Sequence, residues 1–134
     1  MTTEQLSNLF LRWGWYIFPD QQENFKKFFR EMLRRDRVMV ITNDGNVEAV
    51  IFYFLKNDYK KLYKKGLWDT PEDEPKGSQI YIDKMICREW THTLRRQIQD
   101  VIENHFPNVE EGYYHREPFD RLTKIKARRR VCIT

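Results

Sequence analysis

The stretch Cys87–Leu94, CREWTHTL, joins an apolar run to the most regular amphipathic segment of the chain. At a strand-to-helix turn, main-chain N–H groups and the helix dipole converge on any nearby anion. Arg88, Thr91, His92, Thr93 and Arg95 are the residues an anion site would use here, with Arg96 as a further cation. Turns that wrap a phosphate closely usually carry glycine, because close approach and unusual dihedrals both disfavour a β-carbon. Threonine at 91 and 93 resists positive φ, and Glu89 adds negative charge beside the site. A threonine there is also a sound helix N-cap. Two readings stay open: a phosphate cradle built without glycine, or a helix start and nothing more.

A second candidate is electrostatic. Between Arg116 and Arg130 lie Arg116, Arg121, Lys124, Lys126, Arg128, Arg129 and Arg130, opposed only by Glu117 and Asp120. Lys124, Lys126, Arg128, Arg129 and Arg130 could track a phosphate backbone, with Trp90, Tyr113 and Tyr114 available to stack on bases. The same residues could equally form a charged edge strand that discourages aggregation. Metal chemistry finds no support: His92, His105 and His115 are far apart, and Cys87 and Cys132 lack ligand spacing, so both thiols read as buried and reduced. No Walker-type loop or serine nucleophile elbow is present.

The chain of 134 residues is long enough for one domain with a sizeable core. Its net charge is only +4, and aromatic residues make up 15%, which favours a packed globule. No run is long and apolar enough to span a membrane, and the first ten residues do not resemble a secretory signal. A cytoplasmic protein is expected.

Leu6, Leu9, Phe10 and Trp13 recur at helical spacing, which predicts a first helix from after Thr3 to about Trp13. In the following WGWYIFP, Gly14 and Pro19 are stops, and Trp13, Trp15, Tyr16 and Phe18 are either core or a sticky surface patch. Asp20 and Glu23 read as a capping box, followed by a helix with Phe25, Phe28, Phe29, Met32 and Leu33 on one stripe. Asp44-Gly45 predicts a hairpin between two β-rich runs, the second of which, Val47 to Leu55, is apolar enough to be covered on both faces. KNDYKKLYKKGLW reads as a short basic helix or turn, and DTPEDEPKGS as a polar loop and the most mobile region. QIYIDKMIC is a strand in which Tyr81, Asp83, Met85 and Cys87 alternate with Ile80, Ile82, Lys84 and Ile86. A helix over Thr91–His105 carries Leu94, Ile98, Val101, Ile102 and His105 on one side. NVEEGYYHRE is a further strand, and FDRLTKIKARRRVCIT is either a short helix and a strand or one long strand. Strand, helix and strand in succession imply a crossover, so the fold class is α/β (α+β), a mixed central sheet with flanking helices.

That order, with the residues IYIDKMICREWTHTLRRQIQDVIENHF, resembles the GNAT acyltransferase superfamily over roughly Arg37 to Arg116. In that family a turn of the form Arg/Gln-x-x-Gly-x-Gly/Ala binds the pyrophosphate of acetyl-CoA. Arg88 matches the first motif position, and Thr91 and Thr93 stand at the glycine positions; the family's usual first strand is not evident. The resemblance implies acetyl-CoA as cofactor, an amine as substrate, and Arg88, Thr91, His92, Thr93 and Arg95 as cofactor-binding. It also implies a carboxylate base from the sheet and a tyrosine acid, for which Asp83 and Tyr114 are the first candidates and Glu48, Tyr113 and His115 lie nearby. Some small GNAT-like proteins, including ones from phage genomes, modify nucleobases or serve as virion components. The resemblance therefore also admits a catalytically inactive protein that binds nucleic acid, assembles as a homo-oligomer or joins a viral assembly.

Overall fold

Thr2 opens the first helix, α1 (Thr3–Arg12), through a reciprocal capping box. Its hydroxyl accepts from the Gln5 amide at 3.1 Å, and its own amide donates to Gln5 Oε1 at 2.8 Å, so two otherwise orphaned donors are satisfied. The computed structural model describes residues 1–58, 60, 66–116 and 121–126, with the main chain alone for 114–116 and 121–126. After α1 come a 3-10 turn (Pro19–Gln21), α2 (Gln22–Arg34), β1 (Val38–Asn43), β2 (Asn46–Lys56), β3 (Gln79–Cys87), α3 (His92–His105), β4 (Glu111–Arg116) and β5 (Arg121–Lys126). Lys61, Lys64 and Lys65 of the expected basic helix, and Arg128, Arg129, Arg130 and Cys132, lie outside the described residues.

The five strands lie in the order β1-β2-β3-β4-β5. β3 and β4 are parallel and the other pairs antiparallel, with α3 as the crossover. The sheet is therefore mixed, as expected. Asp44 and Gly45 both adopt positive φ, 52° and 79°, and close the β1–β2 hairpin as the two residues between Asn43 and Asn46.

Two apolar layers sandwich β2. On one face Ala49, Ile51, Tyr53 and Leu55 pack with Ile80 and Ile82 against Leu94, Ile98 and Ile102 of α3. On the other, Val50, Phe52 and Phe54 meet Leu6 and Phe10 of α1 and Phe25, Phe28, Phe29 and Met32 of α2. The phenylalanines meet edge to face, Phe25 on Phe29 at 4.3 Å and Phe10 on Phe25 at 5.2 Å, which adds about 0.5–1.5 kcal/mol per pair beyond burial. Of the expected α2 stripe only Leu33 is exposed.

Two expectations require correction. Asp20 does not cap α2: Pro19 starts a 3-10 turn through Gln21, and the N-cap position falls to Gln21, which makes no side-chain cap bond. The alternation along β3 is not continuous. Phe52 pairs with Lys84 and Tyr53 with Ile82, which leaves Asp83 as the extra residue of a β-bulge. Beyond it the faces exchange, so Met85 and Cys87 join Ile80 and Ile82 on the α3 side, and Ile86 lies on the α2 side. The polar loop makes hydrogen bonds at several points. Arg35 donates to the carbonyls of Thr70 (3.1 Å) and Pro71 (2.7 Å), Arg37 pairs with Asp73, and the Glu74 amide donates to the Leu55 carbonyl at 2.7 Å.

The loop ends on Gly77, where a β-carbon would lie 2.6 Å from the Lys56 amide nitrogen. Gly77→Ala should therefore destabilise the fold by about 1–3 kcal/mol in urea denaturation, because main chain cannot yield as a side chain can. Gly66→Ala, with nothing within 4 Å, should be near neutral; equal effects would contradict this packing.

Arg37 also faces the ring of Tyr53, whose hydroxyl donates to the Asp36 carbonyl at 3.1 Å. Burial pushes the Tyr53 phenol up to about 12 from an ordinary 10.0. Its folded value lies above its unfolded one, so its contribution is full below pH 10.0 and is lost as pH rises toward about 12. Tyr53→Phe should flatten alkaline unfolding in that window; an unchanged pH profile would contradict it.

Candidate functional site

Parallel pairing of β3 with β4 runs from Gln79 opposite Glu111 to Ile82 opposite Tyr114, and ends there. Both strands continue, β3 to Cys87 alongside β2 and β4 to Arg116 alongside β5. Beyond the Ile82–Tyr114 rung β3 and β4 no longer pair, and we call this end of their pairing the fork. The bulge residue Asp83 is the first position inside the fork. Its side chain is only 4% exposed while the residue as a whole is partly exposed, so the exposed part is main chain.

Beside the fork, α3 and the far half of β3 enclose a cleft lined by Ile82, Met85, Ile98 and Ile102, with Trp90, Arg95 and Gln99 completing the lining. Its present volume is about 20 Å³, room for a water-sized guest. A longer ligand arm needs the cleft to widen, and Trp90, 46% exposed, is the large side chain with solvent to move into.

The first turn of α3 stands at this site. Thr91 is its N-cap, with its hydroxyl accepting from the Leu94 amide at 3.1 Å. The cap reading of the turn is therefore realised, and it satisfies one amide of the first turn. His92, Thr93, Arg95 and Arg96 are exposed. This rim suits an anion in charge and access, although the β-carbons of Thr91 and Thr93 remain. The helix is anchored at its middle, where Gln97 and Asn43 exchange hydrogen bonds at 2.6 and 3.3 Å.

The other candidates are dispersed. Arg88 bonds Glu48 through both main chain (3.0 Å) and side chain (3.1 Å), on the side of β3 away from β4. The Asp83 carboxylate lies 2.6 Å from Lys84 Nζ on the α2 face, opposite the cleft. Tyr114 reaches the fork by register alone. Tyr113 is buried, with its hydroxyl donating to Glu111. Lys124 and Lys126 stand opposite Tyr113 and Glu111 on β5. Burial raises the pKa of the Cys87 thiol, which disfavours the reactive thiolate. Among the described residues no cluster of three or more His, Cys, Asp or Glu side chains could hold a metal, and no helix is long and apolar enough to cross a membrane.

Sequence reasoning missed the environment of Lys84. This lysine is 8% exposed, lies 4.4 Å from the Phe28 ring centre and 4.9 Å from that of Trp68, and also donates to the Leu67 carbonyl. Its one signal was a lysine in phase with Ile80, Ile82 and Ile86. The bulge turns it and Asp83 to the same face, where each neutralises the other.

Lys84→Met would leave the Asp83 carboxylate buried without this cation, at a cost of about 3–5 kcal/mol in denaturant unfolding. Asp83→Leu combined with Lys84→Met should recover most of the loss. A single-variant loss under about 1 kcal/mol would show that the pair is not structural.

No protein-family model matches the chain, and no curated protein matches it.

Proposed function

We propose that the chain is a divergent acyl-CoA-dependent N-acyltransferase of GNAT-like fold. The observation that supports this reading is the end of β3–β4 pairing at Ile82, with a small apolar cleft whose lining includes both Ile82 and Arg95 of the first turn of α3. Acyl-CoA supplies an acyl group activated as a thioester. On this reading His92, Thr93 and Arg95 receive the anionic end of the cofactor, and Thr91 fixes the turn that presents them. Met85, Ile98 and Ile102 exclude water from the arm. Tyr114 is assigned as the acid by its place at the last paired rung, and Asp83 as the base by its place in the fork. For Asp83 that role requires release from Lys84 and rotation of its carboxylate off the α2 face. Arg88 contributes long-range charge, because its guanidinium is engaged with Glu48.

A second reading is a catalytically inactive GNAT-like protein that binds nucleic acid or sits in a viral or protein assembly. The self-capped turn, the Arg88–Glu48 pair and the exposed Trp15, Tyr16 and Phe18 favour it.

Calorimetry and thermal shift with acetyl-CoA separate the two. The acyltransferase reading predicts saturable heat and a raised melting temperature, with Arg95→Glu weakening binding at least about tenfold, equivalent to about 1.4 kcal/mol. No heat and no shift at millimolar ligand would overturn it. Nucleic-acid affinity that falls steeply with salt, and that drops when Lys124, Lys126 and Arg128 to Arg130 become alanine, would favour the second reading.

A further inference from the structure

The two edges of the sheet differ in chemistry. β5 reads RLTKIK and places Arg121, Lys124 and Lys126 along one edge. Such an edge repels its own copy. β1, at the other edge, reads VMVITN and has neither a charge nor a proline. The register shift of the β1–β2 hairpin puts the extra residue, Glu48, on β2, so β1 itself stays regular. Among the described residues no strand pairs with the outer side of β1, which therefore lacks the usual protections of a free edge.

The surface beside β1 is also incompletely covered. Met39 and Ile41 are buried under α3, but Val40, on the opposite face, is 38% exposed. It borders an open groove between α1 and β1 whose lining includes Leu9, Arg12, Thr42 and Val47. A row of main-chain donors and acceptors is matched best by another extended strand. The strand's own composition selects which one. An antiparallel pair related by a two-fold axis at Val40 sets Val40 against Val40, Met39 against Ile41 and Val38 against Thr42. Within β1 no like charges oppose one another in that register, and β-branched and apolar side chains meet. A charged peptide would find no complementary charge on the strand.

We propose that β1 pairs antiparallel with β1 of a second copy, joining two five-stranded sheets into one. The α1 helices of the two copies then flank the seam, and each Val40 is covered by the other. The fork at β3 and β4 lies toward the opposite side of the sheet, so pairing leaves it open.

Sedimentation velocity over a concentration series tests this. The wild-type chain should pass reversibly from 16.6 kDa to twice that mass. Val40→Lys, and Val40→Glu as a second charge variant, should weaken dimerisation at least tenfold with unchanged circular dichroism and melting of the monomer. Tyr16→Lys, in the separate aromatic patch, should leave dimerisation unchanged. A wild-type chain that stays monomeric at the highest concentration, a dimer that survives both Val40 variants while they remain folded, or a dimer lost with Tyr16→Lys would each overturn the proposal. If both Val40 variants fail to fold, a disulfide between two Val40→Cys chains under mild oxidation, in a Cys87→Ser and Cys132→Ser background, decides it: its absence counts against the pairing.

Discussion

The bulge at Asp83 is the constraint on which the rest of the structure depends. One extra residue in β3 exchanges the faces of everything after it. Met85 can then line the α3 cleft while Ile86 joins the phenylalanine core. The same residue puts Asp83 and Lys84 side by side beneath Phe28 and Trp68. It also marks the point where pairing with β4 has just ended. A strand with uninterrupted alternation would drive Met85 into the other core and pull Ile86 away from it.

Charge does a second structural job. Arg35 and Arg37 at the exit of α2 and Lys84 in β3 all hold parts of the segment from Leu67 to Asp73. Most of their partners are carbonyls, which cannot lose their acceptor character on titration. The acidic residues of the loop therefore act as tethers at particular points, Asp73 to Arg37 and Glu74 to Asn57 at 2.5 Å and Lys56 at 3.8 Å. The layer of aromatic rings beneath is closed by these contacts as well as by its own packing.

Local signals were legible in the sequence. Asp44-Gly45 specified the hairpin because positive φ at both positions is a local property of those residues. The α2 stripe and the apolar run of β2 announced burial on one face and on two. A threonine cap at 91 or 93 was readable, and Thr91 takes it. Non-local features were not. The bulge was hidden because Ile80, Ile82, Lys84 and Ile86 fit an unbroken alternation, and only the lysine was out of character. Pairing between Arg37 and Asp73 spans 36 residues and leaves no periodic trace. Asp20 was misread because Pro19 favours a 3-10 entry over a cap. Of the residues nominated for an anion site, the structure places Thr91, His92, Thr93 and Arg95 on one turn and takes Arg88 to the other side of β3. The apolar lining of the cleft went unnominated because Ile82, Met85, Ile98 and Ile102 look like ordinary core.

A working site at the fork needs its two halves, the α3 turn and the unpaired stretch of β3, to respond to one ligand. Amide chemical-shift mapping during an acetyl-CoA titration addresses that directly. The account predicts that the shifted amides fall within Ile82 to Gln99, including Asp83, Met85, Thr93 and Arg95, with saturation at one common dissociation constant. Unmoved spectra, or shifts gathered on β5 or the aromatic turn after α1, would contradict it.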